Sequence, residues 1–491
     1  MDRHVERLQG EDLTFWWLDS PQQPTTMAML MLLDRAPQPD RLRAAMLRSV
    51  AAVPRLAQRV REAPLDLTLP HWEHDPTFDL DYHVRHHAVA GGGDWEELLR
   101  EIGPAYETPF DRSRPLWEAR VYQGLRGDRA ALFFKLHHAV ADGVGGNAIF
   151  GAMTDWDREG IAEPVGAAED PHKGSWGAPA GWGGQLLEAI RDRVELDLER
   201  AGAAARAIAD TVQHPSQLGR ALTALRALGE AMRFDSHSPL KGAAGRARHL
   251  SGIALPFAEM RALKAALGGT MIDVICTVMA MAMGGWHRAH RIRDVSELMT
   301  LVPINLRKPD EWTEKAATGN VATGIMVRLP IAIRDPLATF REVRARIEAA
   351  KADPSANASP VIAEAISVLP RALVTWLTES TFGTIDFIVT NVPGILVPRY
   401  LAGAEILAAY PFAPVAMRSP ASVALYGYRD SLYIGLTSDE ALMPDVRAFE
   451  AEIQRAFRAL QVAAGLAPAR AAAARRRPTT RRASTAKRKR V

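Results

Sequence analysis

The string Phe134-Lys135-Leu136-His137-His138-Ala139-Val140-Ala141-Asp142-Gly143-Val144-Gly145-Gly146 gathers the residue types that acid–base chemistry needs. Histidine is largely neutral near pH 7 and can take a proton, and a pair at the end of an apolar strand can aim one ring into a cavity. Asp142, four residues beyond His138, is placed to fix the turn by pairing with an arginine or by capping the helix that follows. The glycines let a substrate approach the backbone closely. Together the set suits proton abstraction. The plainer reading is a histidine pair beside an ordinary helix cap. Arg85-His86-His87-Ala88-Val89-Ala90-Gly91 repeats His-His-Ala-Val-Ala but has Gly91 where Asp142 stands, so His86 and His87 read as structural. No third cluster with ligand spacing accompanies the pair, and a metal centre is not expected.

The elements that must carry these residues alternate. Short apolar runs, Met27 to Leu33 and Ala131 to Leu136, are interleaved with amphipathic stretches such as Leu42 to Val60, which predicts α/β layering. From Glu163 to Gln185 the composition turns to Gly, Ala, Pro and Trp without a period, as in a surface crossing. Gln185 to Arg233 has helical spacing with a break near His214-Pro215, which predicts bridging helices. A second alternating region follows Ser238-Pro239, with strands expected at His249–Leu255, Leu298–Val302, Gly324–Leu329, Ile385–Thr390, Ser422–Tyr426 and Leu432–Thr437. Helices are expected at Phe257–Ala266, Thr270–His287, Asp335–Ala350 and Asp445–Leu460. No repeat of fixed period is visible.

Composition narrows the class. Of 60 Lys plus Arg, ten lie after Pro468, where no acid occurs, and the rest of the chain carries 50 bases against 57 acids. The body is mildly acidic, which argues against a nucleic-acid-binding core, and the basic low-complexity tail reads as disordered. A lone Cys276 cannot form an intramolecular disulfide, consistent with a reducing compartment. Met1 to Asp12 lacks the apolar core of a signal peptide, so export by that route is not expected. The most apolar stretch, Val274 to Trp286, is short of the roughly 20 residues that span a bilayer.

The HHxxxDG string at His137 to Gly143 is the signature of the coenzyme A-dependent acyltransferase superfamily that includes chloramphenicol acetyltransferase, plant HxxxD acyltransferases and peptide-synthetase condensation domains. Further strings resemble the bacterial wax ester synthase/acyl-CoA:diacylglycerol acyltransferase family: Phe78-Asp79-Leu80-Asp81-Tyr82-His83-Val84, Pro115-Leu116-Trp117-Glu118, Pro303-Ile304-Asn305-Leu306-Arg307, Gly319-Asn320 and Asn391-Val392-Pro393-Gly394. The strings stand in order along the chain, and the resemblance covers nearly everything from Leu13 to Leu460. The chain departs from that family where Gly269-Thr270-Met271-Ile272-Asp273 keeps the Asp of an Asn-Asp pair but has Ile272 in place of the Asn, an amide whose hydrogen bond isoleucine cannot make. Arg418-Ser419-Pro420 also changes the Gly-rich approach to the late strands. The plant-type Asp-Phe-Gly-Trp-Gly string is absent.

The resemblance implies an α/β (α+β layered) fold of two chloramphenicol-acetyltransferase-like domains enclosing a tunnel and joined by a helical crossover. The expected divisions are residues 1–165 with the HHxxxDG string, bridging residues 166–238, a C-terminal domain at 239–465 and the tail 466–491. It implies an acyl-CoA-dependent O-acyltransferase acting on diacylglycerol, fatty alcohol or both, with His138 as general base, His137 in support, no acyl-enzyme, and no metal or cofactor beyond acyl-CoA as co-substrate. Asp142 would be structural, paired with Arg55, Arg59 or Arg307. Pro115, Leu116 and Trp117 would contact substrate, or be a strand-start proline with two core residues. Gly143, Asp273, Asn305, Arg307 and Asn391 would bind substrate or support the site, and Asn-Val-Pro-Gly is also a turn string in its own right. Met271, Val274, Met279, Met281 and Met283 could line an acyl tunnel or be core. A cytoplasmic enzyme is expected, peripheral on the inner membrane face or on lipid droplets if the tail meets anionic lipid. Carrier-dependent transfer to a polyketide or sugar alcohol, and a catalytically weak lipid-binding homologue, are the alternatives.

Overall fold

The computed structural model describes residues 6–141, 143–160, most of 183–198, 202, 234–305, 322–353, 371–415 and 417–466. In the first half the elements are β1 (Glu6–Arg7), α1 (Gly10–Leu18), β2 (Thr26–Leu33), α2 (Pro39–Ala52), β3 (Gln58–Arg61), β4 (His71–His74), α3 (Leu80–His83), β5 (Val84–Ala88), α4 (Trp95–Glu107), β6 (Trp117–Leu125), β7 (Arg129–His137) and α5 (Gly143–Met153). The second half contains β8 (Arg248–Pro256), α6 (Phe257–Leu267), α7 (Met271–Ala289), β9 (Glu297–Asn305), β10 (Ala322–Pro330), α8 (Pro336–Ala352), α9 (Arg371–Phe382), β11 (Phe387–Ile395), β12 (Tyr400–Leu401), β13 (Ala404–Phe412), β14 (Ala421–Tyr428), β15 (Ser431–Asp439) and α10 (Val446–Ala463).

Two six-stranded mixed sheets result, in the orders β12-β13-β2-β7-β6-β5 and β10-β9-β11-β14-β15-β8. β7 lies inside the first sheet, between β2 and β6, and is buried at every position after Arg129. Helices cover one face, where Leu132 and Phe134 pack with Leu42 and Met46 of α2 and Ile149 and Phe150 of α5. On the other face Ala131 and Phe133 pack with Leu98 and Ile102 of α4. Burial on both faces explains why this strand reads as an unbroken apolar run rather than an alternation.

Two expectations need correction. Leu42 to Val60 is not one amphipathic element: α2 ends at Ala52, because Pro54 disfavours helix at Val53, and the chain re-emerges as β3. The division at residue 239 separates the chain but not the sheets. β13, from the second half, pairs antiparallel with β2 from Ile406↔Leu33 to Phe412↔Ala28 and so belongs to the first sheet. Where the crossover is described, at 189–198, it is helical. There Leu196 joins the first lobe's core, and Arg193 donates to the Leu67 carbonyl. The expected break at His214-Pro215 and the tail beyond Leu466 lie outside the described residues.

The methionine stripe is core. Val274, Met279 and Met283 are buried inside the second lobe, with Met271 and Met281 packed against them. No single helix among the described residues is long and apolar enough to cross a bilayer.

Candidate active site

The histidine pair stands where β7 turns into α5. The His137 N–H donates to the Leu116 carbonyl at 3.0 Å, the His138 N–H to the Thr25 carbonyl at 2.8 Å, and the Val140 N–H to the His137 carbonyl at 3.0 Å, so both flanking segments and the turn itself are pinned. The two rings then have different surroundings. His137 is 1% exposed. Its Nδ1 accepts the Ala139 N–H at 3.0 Å, which leaves the proton on Nε2, 2.8 Å from the Thr25 hydroxyl. Burial pushes the imidazole down to about 4, against the pull of Asp19 and aided by Arg112 and His138, so this ring is neutral at physiological pH. His138 is only half-buried and stacks on Phe15 with centroids 3.9 Å apart. One imidazole is committed to the scaffold. The other stands on the turn.

The Pro115-Leu116-Trp117 segment is built into the core beneath that turn. All three are buried. The Trp117 Nε1–H donates to the Leu56 carbonyl at 2.7 Å, and its indole stacks on His83 at 4.5 Å with planes 12° apart. His83 in turn donates from Nδ1 to the Trp117 carbonyl at 2.8 Å. Two landmarks apart in sequence therefore brace each other, and the segment has the burial and partners of a structural support.

Asp273 is also architectural. It closes a capping box on α7, accepting the Thr270 N–H at 2.7 Å while its own N–H reaches the Thr270 hydroxyl at 3.3 Å. Ile272 is half-buried against the second lobe's core, and the capping box is complete without a side chain at that position. Gly143 opens α5, and Asn305 ends β9. The side chain of Asn305, together with Asp142 and Arg307, lies outside the described residues. Of the candidate arginine partners for Asp142, Arg55 pairs with Asp12 at 3.0 Å and with Glu6, and Arg59 pairs with Glu73 at 2.7 Å. His86 is exposed and His87 stacks on Tyr122 at 5.2 Å, in keeping with a structural pair.

The second lobe reaches the site through α5. Asn147 donates to the Pro393 carbonyl at 2.6 Å. β9 and β11 pair only at Thr300↔Phe387 and Leu301↔Ile388, while β11 continues along β14, so the two strands part beside the exposed Asn391. Gly394 is required there, because a Cβ would lie 1.8 Å from the Gly427 carbonyl oxygen. At the far end of α5, Arg399 donates to the Thr154 hydroxyl at 2.9 Å and to the carbonyls of Gly151 at 3.1 Å and Thr154 at 2.6 Å. Sequence reasoning missed Phe15, Asp19, Thr25 and Arg399, which lie in no recognisable string.

Two mixed-sheet lobes with a His-His turn leading into the helix between them define the acyltransferase and condensation-domain fold. The wax ester synthase/diacylglycerol acyltransferase from Marinobacter aquaeolei VT8 superposes with a TM-score of 0.62 at 20% identity, over 94% of this chain and all of that one. The first condensation domain of the calcium-dependent antibiotic synthetase gives 0.61 at 16%, over 94% and 97%. The wax ester synthase/diacylglycerol acyltransferase catalytic-domain model matches residues 8–275 and the family's C-terminal-domain model residues 318–461. A Mycobacterium tuberculosis H37Rv protein with the provisional name diacylglycerol O-acyltransferase is 31% identical over 81% of this chain and 79% of its own length. The chain belongs to the wax ester synthase/diacylglycerol acyltransferase family, and it is an acyltransferase.

Proposed function

We propose that the protein transfers a long-chain acyl group from acyl-CoA to the hydroxyl of diacylglycerol, of a fatty alcohol, or of both. The observation that carries the mechanism is the division between the two imidazoles: His137 has both ring nitrogens engaged in the scaffold, and His138 stands half-buried on the turn. In this scheme His138 takes the proton of the acceptor hydroxyl as its oxygen attacks the thioester carbonyl. It then returns that proton to the departing CoA thiolate, with no acyl-enzyme between the steps. A positioned base supplies about 10²- to 10⁴-fold by itself, so orientation and oxyanion stabilisation supply the rest. Relatives named as diacylglycerol acyltransferases support the acceptor, and the starter condensation domain of rhizomide synthetase, solved with C8-CoA and Leu-SNAC, supports a thioester donor on this fold. Ile272 packs against the second lobe's core without disturbing the capping box, and a catalytically weak lipid-binding homologue would instead bind acyl chains without releasing CoA. In the cell the enzyme is cytoplasmic and meets lipid from the side, with the basic tail on an anionic surface.

The test is thiol release from palmitoyl-CoA, with and without diacylglycerol or hexadecanol, by wild type and His138→Ala. Acceptor-dependent release should fall by at least about 10²-fold in the variant. Surviving release would remove His138 as the base, and turnover with carrier-borne but not CoA-borne acyl groups would replace the donor.

A further inference from the structure

Both histidines hang from residue 25. The Thr25 carbonyl accepts the His138 N–H at 2.8 Å, and the Thr25 hydroxyl lies 2.8 Å from His137 Nε2. Because the Ala139 N–H occupies Nδ1, His137 donates from Nε2, and the hydroxyl acts as acceptor. The hydroxyl still has its own proton to place. Asp19 Oδ1 stands 3.3 Å away, with the Phe15 carbonyl at 3.4 Å. The same Oδ1 accepts the Thr25 N–H at 3.0 Å, and Oδ2 takes the Arg112 guanidinium at 3.1 Å. Arg112 is itself held over the Trp16 ring at 4.1 Å. A chain of matched donors and acceptors thus runs from the guanidinium through Asp19 and Thr25 to His137, ending on a carboxylate, the stronger kind of acceptor.

We propose that Asp19 and Thr25 are positioning residues for the histidine turn: Asp19 orients the Thr25 hydroxyl, which fixes His137 in its Nε2–H tautomer and so sets the turn that presents His138. The inference rests on the reading of His138 as the base. Without the hydroxyl the Nε2–H loses its acceptor: Asp19 Oδ1, 3.8 Å from Nε2, could replace it only if ring or carboxylate shifted, and a proton moved to Nδ1 would oppose the Ala139 N–H, so either outcome loosens the turn. The effect falls on the placement of the base. Binding of acyl-CoA is spared.

Thr25→Val removes the hydroxyl and keeps the shape, while Thr25→Ser restores it. In thiol release from palmitoyl-CoA with diacylglycerol, Thr25→Val should lower kcat roughly 10- to 100-fold and leave KM within about threefold, the signature of a misplaced group rather than lost binding. Thr25→Ser should return to within about threefold of wild type. Long-range ¹H–¹⁵N spectra of histidine-labelled protein, with His137 assigned through His137→Gln, should place its proton on Nε2. A Thr25→Val kcat within twofold of wild type, or a wild-type His137 protonated on Nδ1, would overturn the proposal. Absence of turnover in wild type would instead sink the acyl-CoA reading, and the tautomer spectrum, which needs no substrate, would still decide this one. Should Thr25→Val not fold, Asp19→Asn serves, with kcat expected to fall and KM to hold; an unchanged kcat would count against the proposal.

Discussion

His137 and His138 are adjacent in sequence and chemically distinct, because a turn sends one ring into a closed interior and leaves the other half-buried. The buried member makes a prediction of its own. A histidine whose folded pKa lies below its unfolded value costs stability once the unfolded chain binds a proton that the fold refuses. For His137, pushed down to about 4, stability should therefore fall as pH drops from its ordinary value near 6.5 toward 4. At about pH 5 the loss is on the order of 2 kcal/mol. His137→Gln refuses no proton, so the melting-temperature gap between wild type and variant should narrow between about pH 7.5 and pH 5. A gap independent of pH would refute a buried neutral imidazole.

At the scale of elements, α5 is held at two points by the second half of the chain: Asn147 donates to the Pro393 carbonyl, and Arg399, next to the first sheet's β12, clamps the last turn. A cation on the final carbonyls of a helix satisfies acceptors that have no intrahelical partner and complements the dipole. Arg399→Met leaves those buried carbonyls unpaired and should destabilise the protein by about 1–3 kcal/mol, read as a lower urea midpoint, with Arg399→Lys in between. An unchanged midpoint would mean that the clamp carries no net stabilisation. The long contribution of β7 was legible because a strand covered on both faces is apolar throughout. The end of α2 was not anticipated, although Pro54 marks it.

At the scale of the molecule, β13 makes the first sheet depend on the second half of the chain. Residues 1–238 alone would expose the edge of β2, an apolar strand whose partner is absent. This fragment should run as aggregate in size exclusion, and adding residues 239–491 in trans during refolding should rescue solubility. A monomeric, folded 1–238 would show that the first sheet does not need β13. The tail supplies a second expectation. On the proposed lipid-facing reading, the ten bases beyond Pro468 would each contribute roughly 1 kcal/mol near an anionic surface, an attraction that salt screens. Deleting residues after Pro468 should lower flotation with anionic liposomes at low salt and leave turnover on dispersed substrate intact. Equal flotation would refute a lipid-binding role for the tail.

The family, the layered α/β class, the histidine pair and most strands of the second half were readable from the chain, because local runs and periods record burial and turn chemistry. The roles within the site were not. Pro115, Leu116, Trp117 and Asp273 read equally as substrate contacts or as structural support, and their buried partners are those of the scaffold, since a residue type does not reveal which way a side chain faces. Asp19, Thr25 and Arg399 looked like nothing and hold the turn and its helix, because their partners are up to 245–248 residues away and only packing brings them together. Which of two adjacent imidazoles lost its water was decided by tertiary structure, since burial is a property of the surroundings and not of the residue.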